Sequence, residues 1–131
     1  VGTAIVTPDT DRTMDIRGRD LVSGLPKTLT VHAKEIREAL NEPIYKIIDA
    51  VKSTLEKTPP ELAADVMDHG IMMTGGGALL MNLDKLLSHE TGMPVLVSEE
   101  ALSCVGEGTG RTLENIGLLK NVVMSSKKLK Q

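Results

Sequence analysis

Large aromatic side chains are almost missing from this 131-residue sequence: it has no Trp and no Phe, and Tyr45 is its single aromatic residue. That excludes functions built on aromatic platforms, such as base stacking on single-stranded nucleic acid. It also leaves Ile, Leu, Val and Met to build any core. Cysteine is nearly absent too, and with Cys104 alone no internal disulfide can form, which points to a reducing cytoplasmic compartment. There is no surplus of positive charge, since 15 Lys and Arg face 18 Asp and Glu for a net charge of −3. A general binder of phosphate backbones concentrates positive charge, so nucleic acid is not the expected partner. No apolar run approaches the roughly 20 residues that span a bilayer, and the first residues lack the basic-then-apolar pattern of a signal peptide. His32, His69 and His89 lie far apart with no Cys or His at ligand spacing, so no metal site is expected. No acid–base pair or nucleophile triad can be assembled from the residues present.

What remains is an aliphatic chain, 40% hydrophobic, of a length suited to one domain or two small lobes. It opens Val1-Gly2-Thr3, in what reads as the middle of a strand, and this leads us to expect a piece of a longer protein. The first third is extended in character. Val1 to Thr7 is rich in β-branched residues, Pro8 to Asp11 supplies turn chemistry, and Thr13 to Arg17 alternates polar with apolar. Ser23-Gly24-Leu25-Pro26 is a second turn and Thr28 to Val31 alternates again, so a small antiparallel meander is predicted.

From Ala33 the period changes from two to three and four. Ile36, Leu40, Ile44, Ile47, Ile48, Val51 and Leu55 form one apolar stripe on a long helix. Pro43 interrupts it, and with Asn41 as a cap the stripe would divide into two nearly continuous segments. Thr58-Pro59-Pro60 stops the helix. A short helix over 60–68 follows, with Leu62, Val66 and Met67 inward and Gly70 as a left-handed cap. Ile71 to Thr74 and Pro94 to Val97 read as buried strands, and a helical pattern through Leu79, Leu80, Leu83, Leu86 and Leu87 lies between them, ended by Gly92. This is a βαβ unit, and the fold class is α/β. A last helix is predicted from Ser103 to Lys120, then a solvated tail holding Lys127, Lys128 and Lys130.

The chemical signal is Met73-Thr74-Gly75-Gly76-Gly77-Ala78-Leu79, which sets three residues without Cβ between the end of a strand and the start of a helix. Ligands of α/β sheets bind there, because bare glycines admit close approach to backbone N–H groups and a helix start adds partial positive charge. A tight turn needing positive φ is the plainer reading. A Walker loop is excluded, since nothing matches its Gly-Lys-Ser/Thr ending. A dinucleotide fingerprint matches at Gly75 and Gly77, with Glu99 about 20 residues on as a ribose-binding acid, but its third glycine is Leu80. Gly106, Gly108 and Gly110 are read as helix positions that permit close packing of a neighbour, and Cys104 as a small buried residue.

Three blocks resemble one family. Asp15-Ile16-Arg17-Gly18-Arg19-Asp20-Leu21-Val22-Ser23-Gly24-Leu25-Pro26 is similar to a strand and turn of the bacterial MreB/Mbl proteins. Glu56-Lys57-Thr58-Pro59-Pro60-Glu61-Leu62 resembles their long-helix exit, and Ile71 through Leu80 with Asn82-Leu83-Asp84 resembles their adenosine loop. The resemblance implies a partial actin-like (ribonuclease H-like) ATPase fold: a small antiparallel β subdomain over 1–32, a large α/β subdomain with the nucleotide loop over 33–100, and a C-terminal helix and tail over 101–131 returning to the opposite lobe. It assigns Gly75, Gly76, Gly77 and Ala78 to nucleotide contact, with ATP and Mg²⁺ as the cofactors of the whole protein. It further implies a slow ATPase that polymerises head to tail into membrane-associated filaments directing cell-wall synthesis and rod shape. The phosphate loops and metal-associated acids of the family have no match in these 131 residues, so this stretch alone is expected to be inactive.

Overall fold

In the computed structural model, residues 1–117 and 119 are described. The alternating segments pair as expected: β1 (Thr13–Arg19) and β2 (Pro26–His32) form an antiparallel hairpin with Ile16 opposite Leu29 and Met14 opposite Val31. Asp20 organises the turn, its carboxylate accepting the N–H groups of Val22 and Ser23 at 2.8 and 3.3 Å. Those two donors hold its carboxyl below the ordinary value, with a smaller contribution from Lys27. Gly24 takes φ +72°, the left-handed conformation that closes the turn.

The meander stops at these two strands. Val1 to Thr7, expected to be its first strand, instead joins the α/β layer: Thr3 bridges Met81, and the Ala4 N–H donates to the Met81 carbonyl at 2.8 Å. A run of β-branched residues specifies extended backbone but not its partner. Here Ala4, fully buried, decides the matter by fitting among Ile44, Ile48, Leu83 and Leu87.

Helix α1 (Ala33–Glu56) begins with the His32 N–H donating to the Glu35 carboxylate at 2.8 Å, half of a capping box. It runs unbroken through Pro43, so the predicted division at Asn41 does not occur. Pro43 is exposed, and the cost is one missing backbone bond on the solvent side. Burial of Ile44 and Ile48 immediately beyond it offsets that loss.

Helix α2 (Pro60–His69) starts on a proline, where no N–H is needed. Of its three expected inward residues only Val66 is partly buried; Leu62 and Met67 are exposed. Gly70 ends the helix at φ +80°, and its N–H donates to the Val66 carbonyl. An added Cβ would also lie 2.8 Å from the Pro94 carbonyl oxygen.

The predicted strands form a parallel pair, β3 (Ile71–Met73) with β4 (Val95–Val97). The helical stretch between them is shorter than its leucine pattern suggests. A single 3-10 turn, Gly76–Leu79, is followed by a break, and α3 spans Leu83–Thr91. Asn82 makes the break at φ +63°, its amide donating to Thr3 Oγ1 and the Ile5 carbonyl at 3.1 and 3.2 Å. Docking of the N-terminal segment thus interrupts a helix that local periodicity would continue.

The last helix, α4, covers Cys104–Glu114. The end predicted at Lys120 and the lysines of the tail lie outside the described residues. Beyond the helix's own backbone, no atom of the described residues comes within 4 Å of a Cβ built on Gly106, Gly108 or Gly110, so no neighbour among them uses the close approach expected there. Cys104 is only partly buried, with Sγ 2.9 Å from Ser98 Oγ.

Candidate functional site

Both strands of the parallel pair end at the same place. The Ser98 N–H donates to the Met73 carbonyl at 3.0 Å, which ties the exit of β4 to the exit of β3. Onto this end fold two short segments, the glycine loop after β3 and the Glu99–Leu102 turn after β4. Crevices outside the carboxyl ends of parallel strands are where α/β sheets bind ligands.

The three glycines of the loop have different physical roles. Gly75 has φ +82° and donates its N–H to the Ala101 carbonyl at 2.6 Å, so its reason for being glycine is internal. Gly76 and Gly77 are exposed and neither has a positive φ. Among the described residues a Cβ on Gly76 would meet only Leu102 Cδ2 at 3.5 Å, and one on Gly77 would meet nothing within 4 Å. Among the described residues neither N–H donates a backbone bond outside a helix or strand. Ala78 is buried, its N–H returning to the Gly75 carbonyl at 3.1 Å, so it anchors the loop and presents no polar group outward.

One expectation about the loop is corrected. It leads into a single 3-10 turn, and the helix start that would add positive potential lies at Leu83, beyond the Asn82 break. Any attraction for an anion at Gly76 and Gly77 therefore comes from individual N–H groups rather than from a helix end. The same break weakens the dinucleotide reading, which needs the loop to open directly into a helix.

The Glu99–Leu102 turn is fixed from both sides. Ala101 is buried, and the Glu100 carbonyl accepts the N–H groups of Ser103 and Cys104, both at 3.0 Å. Leu79, Glu99, Glu100, Ala101 and Leu102 line a recess of about 120 Å³ against the loop. Sequence reasoning offered Glu99 only as the ribose-binding acid of a dinucleotide fingerprint and passed over Leu102; the Gly75–Ala101 bond, a contact between distant segments, reveals that they adjoin the glycines. A larger apolar groove of about 650 Å³ lies elsewhere, lined by Ile47, Val51, Leu55, Val66 and Ile71 among others and by none of the loop. Among the described residues no group of three or more His, Cys, Asp or Glu could hold a metal ion.

An α/β layer with a glycine loop at its strand ends, joined through a long helix to an antiparallel hairpin, is a partial actin-like fold, and the solved structures bear this out. A crystal structure of MreB5 of Spiroplasma citri bound to ADP superposes with a TM-score of 0.79 at 43% identity, covering 88% of this chain and 35% of that one. Another, bound to AMPPNP, gives 0.78 at 41% identity. The chain belongs to the MreB/Mbl protein family, whose pattern matches residues 1–121. It is 53% identical over 117 residues to the cell shape-determining protein Mbl of Bacillus subtilis, covering 88% of this chain and 35% of that protein. With the cell shape-determining protein MreB of Escherichia coli it shares 50% over 110 residues, covering 84% and 32%. The chain thus spans about a third of the length of the curated relatives it matches.

Proposed function

We propose that this chain is part of a bacterial actin-like cytoskeletal protein and supplies one wall of its ATP site through Gly75, Gly76, Gly77 and Ala78. The observation that carries the reading is the freedom of Gly76 and Gly77. Neither has the positive φ that favours glycine and the space around them is open, so nothing among the described residues requires a missing Cβ. A ligand pressed against the backbone does require it. Gly75 favours the plainer alternative for its own position, a turn glycine in a module without nucleotide binding, because its φ and its bond to Ala101 account for it fully.

In the longer protein, ATP is proposed to bind with Mg²⁺, which would neutralise charge on the phosphates. Gly76 and Gly77 can donate backbone N–H groups to the nucleotide; metal ligands and a water-positioning group would come from outside these residues. The proposed assembly is a head-to-tail filament, in which a small lobe holding the hairpin meets the base of the next large lobe, an open heterologous contact. Membrane association, contact with the cell-wall synthesis machinery and control of rod shape belong to that filament. The division at 32 and 100 is proposed as the lobe boundary, with residues 3 and 4 packing back onto the larger lobe.

Gly76→Val in the full-length protein tests the site. An added Cβ has room there and Gly76 is exposed, so the melting temperature should hold while ATP affinity falls about tenfold or more. Unchanged affinity in a folded variant would make the loop a turn and nothing else.

A further inference from the structure

The tip of the hairpin carries side chains that do not suit a turn in water. Its backbone is organised from within: besides the two N–H groups that the Asp20 carboxylate accepts, the Asp20 N–H donates to the Leu25 carbonyl at 2.9 Å and the Gly24 N–H to the Asp20 carbonyl at 2.8 Å. Arg19 Nε donates to the Gly24 carbonyl at 3.1 Å. On this well-tied turn stand Leu21 and Val22, at 96% and 98% exposure. Turns favour polar residues, and two adjacent aliphatics held in water contribute nothing unless something covers them. Beside them lies a recess of about 380 Å³, lined also by Leu29, Arg17, Arg19 and Lys27, with Asp20 as its one carboxylate. Such a surface fits an acidic partner that offers an exposed aliphatic side chain.

Helix α2 has that chemistry. Glu61, Asp65 and Asp68 recur at helical spacing on one exposed face, the helix has no Lys or Arg, and Leu62 beside Glu61 is 55% exposed. The hairpin runs straight into α1 at Ala33, and α2 follows the other end of α1, so 24 residues of helix, about 36 Å, separate the two surfaces. That distance keeps them apart within one molecule. Resting on the assembly reading above, we infer that the Leu21–Val22 tip of one subunit seats against α2 of the next copy, with Arg17, Arg19 and Lys27 facing Glu61, Asp65 and Asp68. The two surfaces differ and lie at opposite ends of α1, so the contact is heterologous and repeats without closing.

The test is sedimentation of the full-length protein with ATP over a range of protein concentrations, which reads the critical concentration for filaments. Val22→Asp should raise it about tenfold, as loss of an aliphatic anchor at the centre of a contact does. Melting temperature and ATP affinity should hold, because Val22 is exposed in its own subunit. Arg17→Glu and Asp65→Arg, each of which sets like charges across the contact, should also raise it about tenfold. The double variant Arg17→Glu with Asp65→Arg should recover most of that loss, a repair that damage to either surface alone would not give. If the wild-type protein forms no filaments at any concentration, the assembly reading fails and this inference with it. Wild-type filaments together with a Val22→Asp variant that sediments like wild type, or a double variant no better than its worse parent, overturn the inference and leave the assembly reading standing. Should Val22→Asp misfold, the charge exchange alone decides.

Discussion

The two sheets of this chain are opposites. The hairpin is long and antiparallel with seven residues in each strand, and every residue of β1 is exposed. The β3–β4 pair is parallel, three residues in each strand, and packs through Met73 and Val95 against a buried cluster. Backbone pairing is thus abundant where there is no core and scarce where there is one. Since a hydrogen bond nets only about 1 kcal/mol once water is counted, the shorter pair sits in the more stable half of the molecule. The hairpin nonetheless sorts its faces, with Met14, Ile16, Leu29 and Val31 on one and Asp15, Arg17, Thr28 and Thr30 on the other. A sorted apolar face that is still about half exposed gains little from being sorted within these residues.

Truncation should expose this contrast most strongly. Ile48 is 1% exposed at the centre of the α/β cluster, so Ile48→Ala should cost about 2–5 kcal/mol. Leu29 is 50% exposed, and Leu29→Ala should cost about 0.2–1 kcal/mol, the worth of a cross-strand pair. Urea denaturation of the 131-residue chain followed by circular dichroism measures both. Equal losses would break the comparison. A Leu29 penalty that rises to the Ile48 scale only in full-length protein would show that the remainder of the longer chain covers the hairpin face.

A smaller effect separates two of the positive-φ glycines, Gly24 and Gly70. Both have positive φ, which costs a residue with a Cβ about 1–2 kcal/mol. At Gly24 the nearest obstacle is the end of the Arg19 side chain at 3.3 Å, which can move, so Gly24→Ala should lose only that amount. At Gly70 it is the Pro94 carbonyl oxygen at 2.8 Å, backbone that also accepts the Ile71 N–H. Gly70→Ala should therefore lose more, about 2–4 kcal/mol, because a steric clash adds to a backbone conformation, φ +80° with ψ −177°, that is essentially confined to glycine. Equal losses in the same denaturation experiment would mean that the β3–β4 junction yields as easily as a hairpin tip.

What the sequence made legible follows the same division. Alternation located β1 and β2, and the three- and four-residue period located α1, because each depends on neighbours in sequence. The misses that reshape the fold turn on long-range contacts. The docking of Val1–Thr7 beside Met81, the break at Asn82 and the continuity through Pro43 are decided by burial of Ala4, Ile44 and Ile48 among side chains distant in sequence. The glycine loop was visible as a motif. Its internal division, Gly75 held by Ala101 while Gly76 and Gly77 stay open, was not, because the turn that holds it arrives only after α3 and β4.

The smallest effect expected is a pH dependence in the α/β half. Lys52 of α1 and Glu90 of α3 meet at 2.7 Å and join two helices of the layer. The hydrogen bond from Lys52 is the main cause that holds the Glu90 carboxyl below its ordinary value of 4.5, and the same bond raises Lys52 above 10.5. A carboxyl depressed in the folded state stabilises it above the unfolded value and loses that contribution as pH falls through the folded one. A raised amine contributes below 10.5 and loses its contribution as pH rises through the folded value. The bridge is therefore fully present across neutral pH and fades at both extremes. Both side chains reach solvent, at 40% and 28% exposure, and salt screens such pairs, which ranks this below the truncation and glycine effects. Glu90→Gln should lower the melting temperature slightly at pH 7. The gap to wild type should narrow as pH drops below 4.5, and it should shrink at neutral pH in high salt. A gap independent of both pH and salt would assign the loss to packing of the Glu90 side chain against α1 and remove the ion pair from the account.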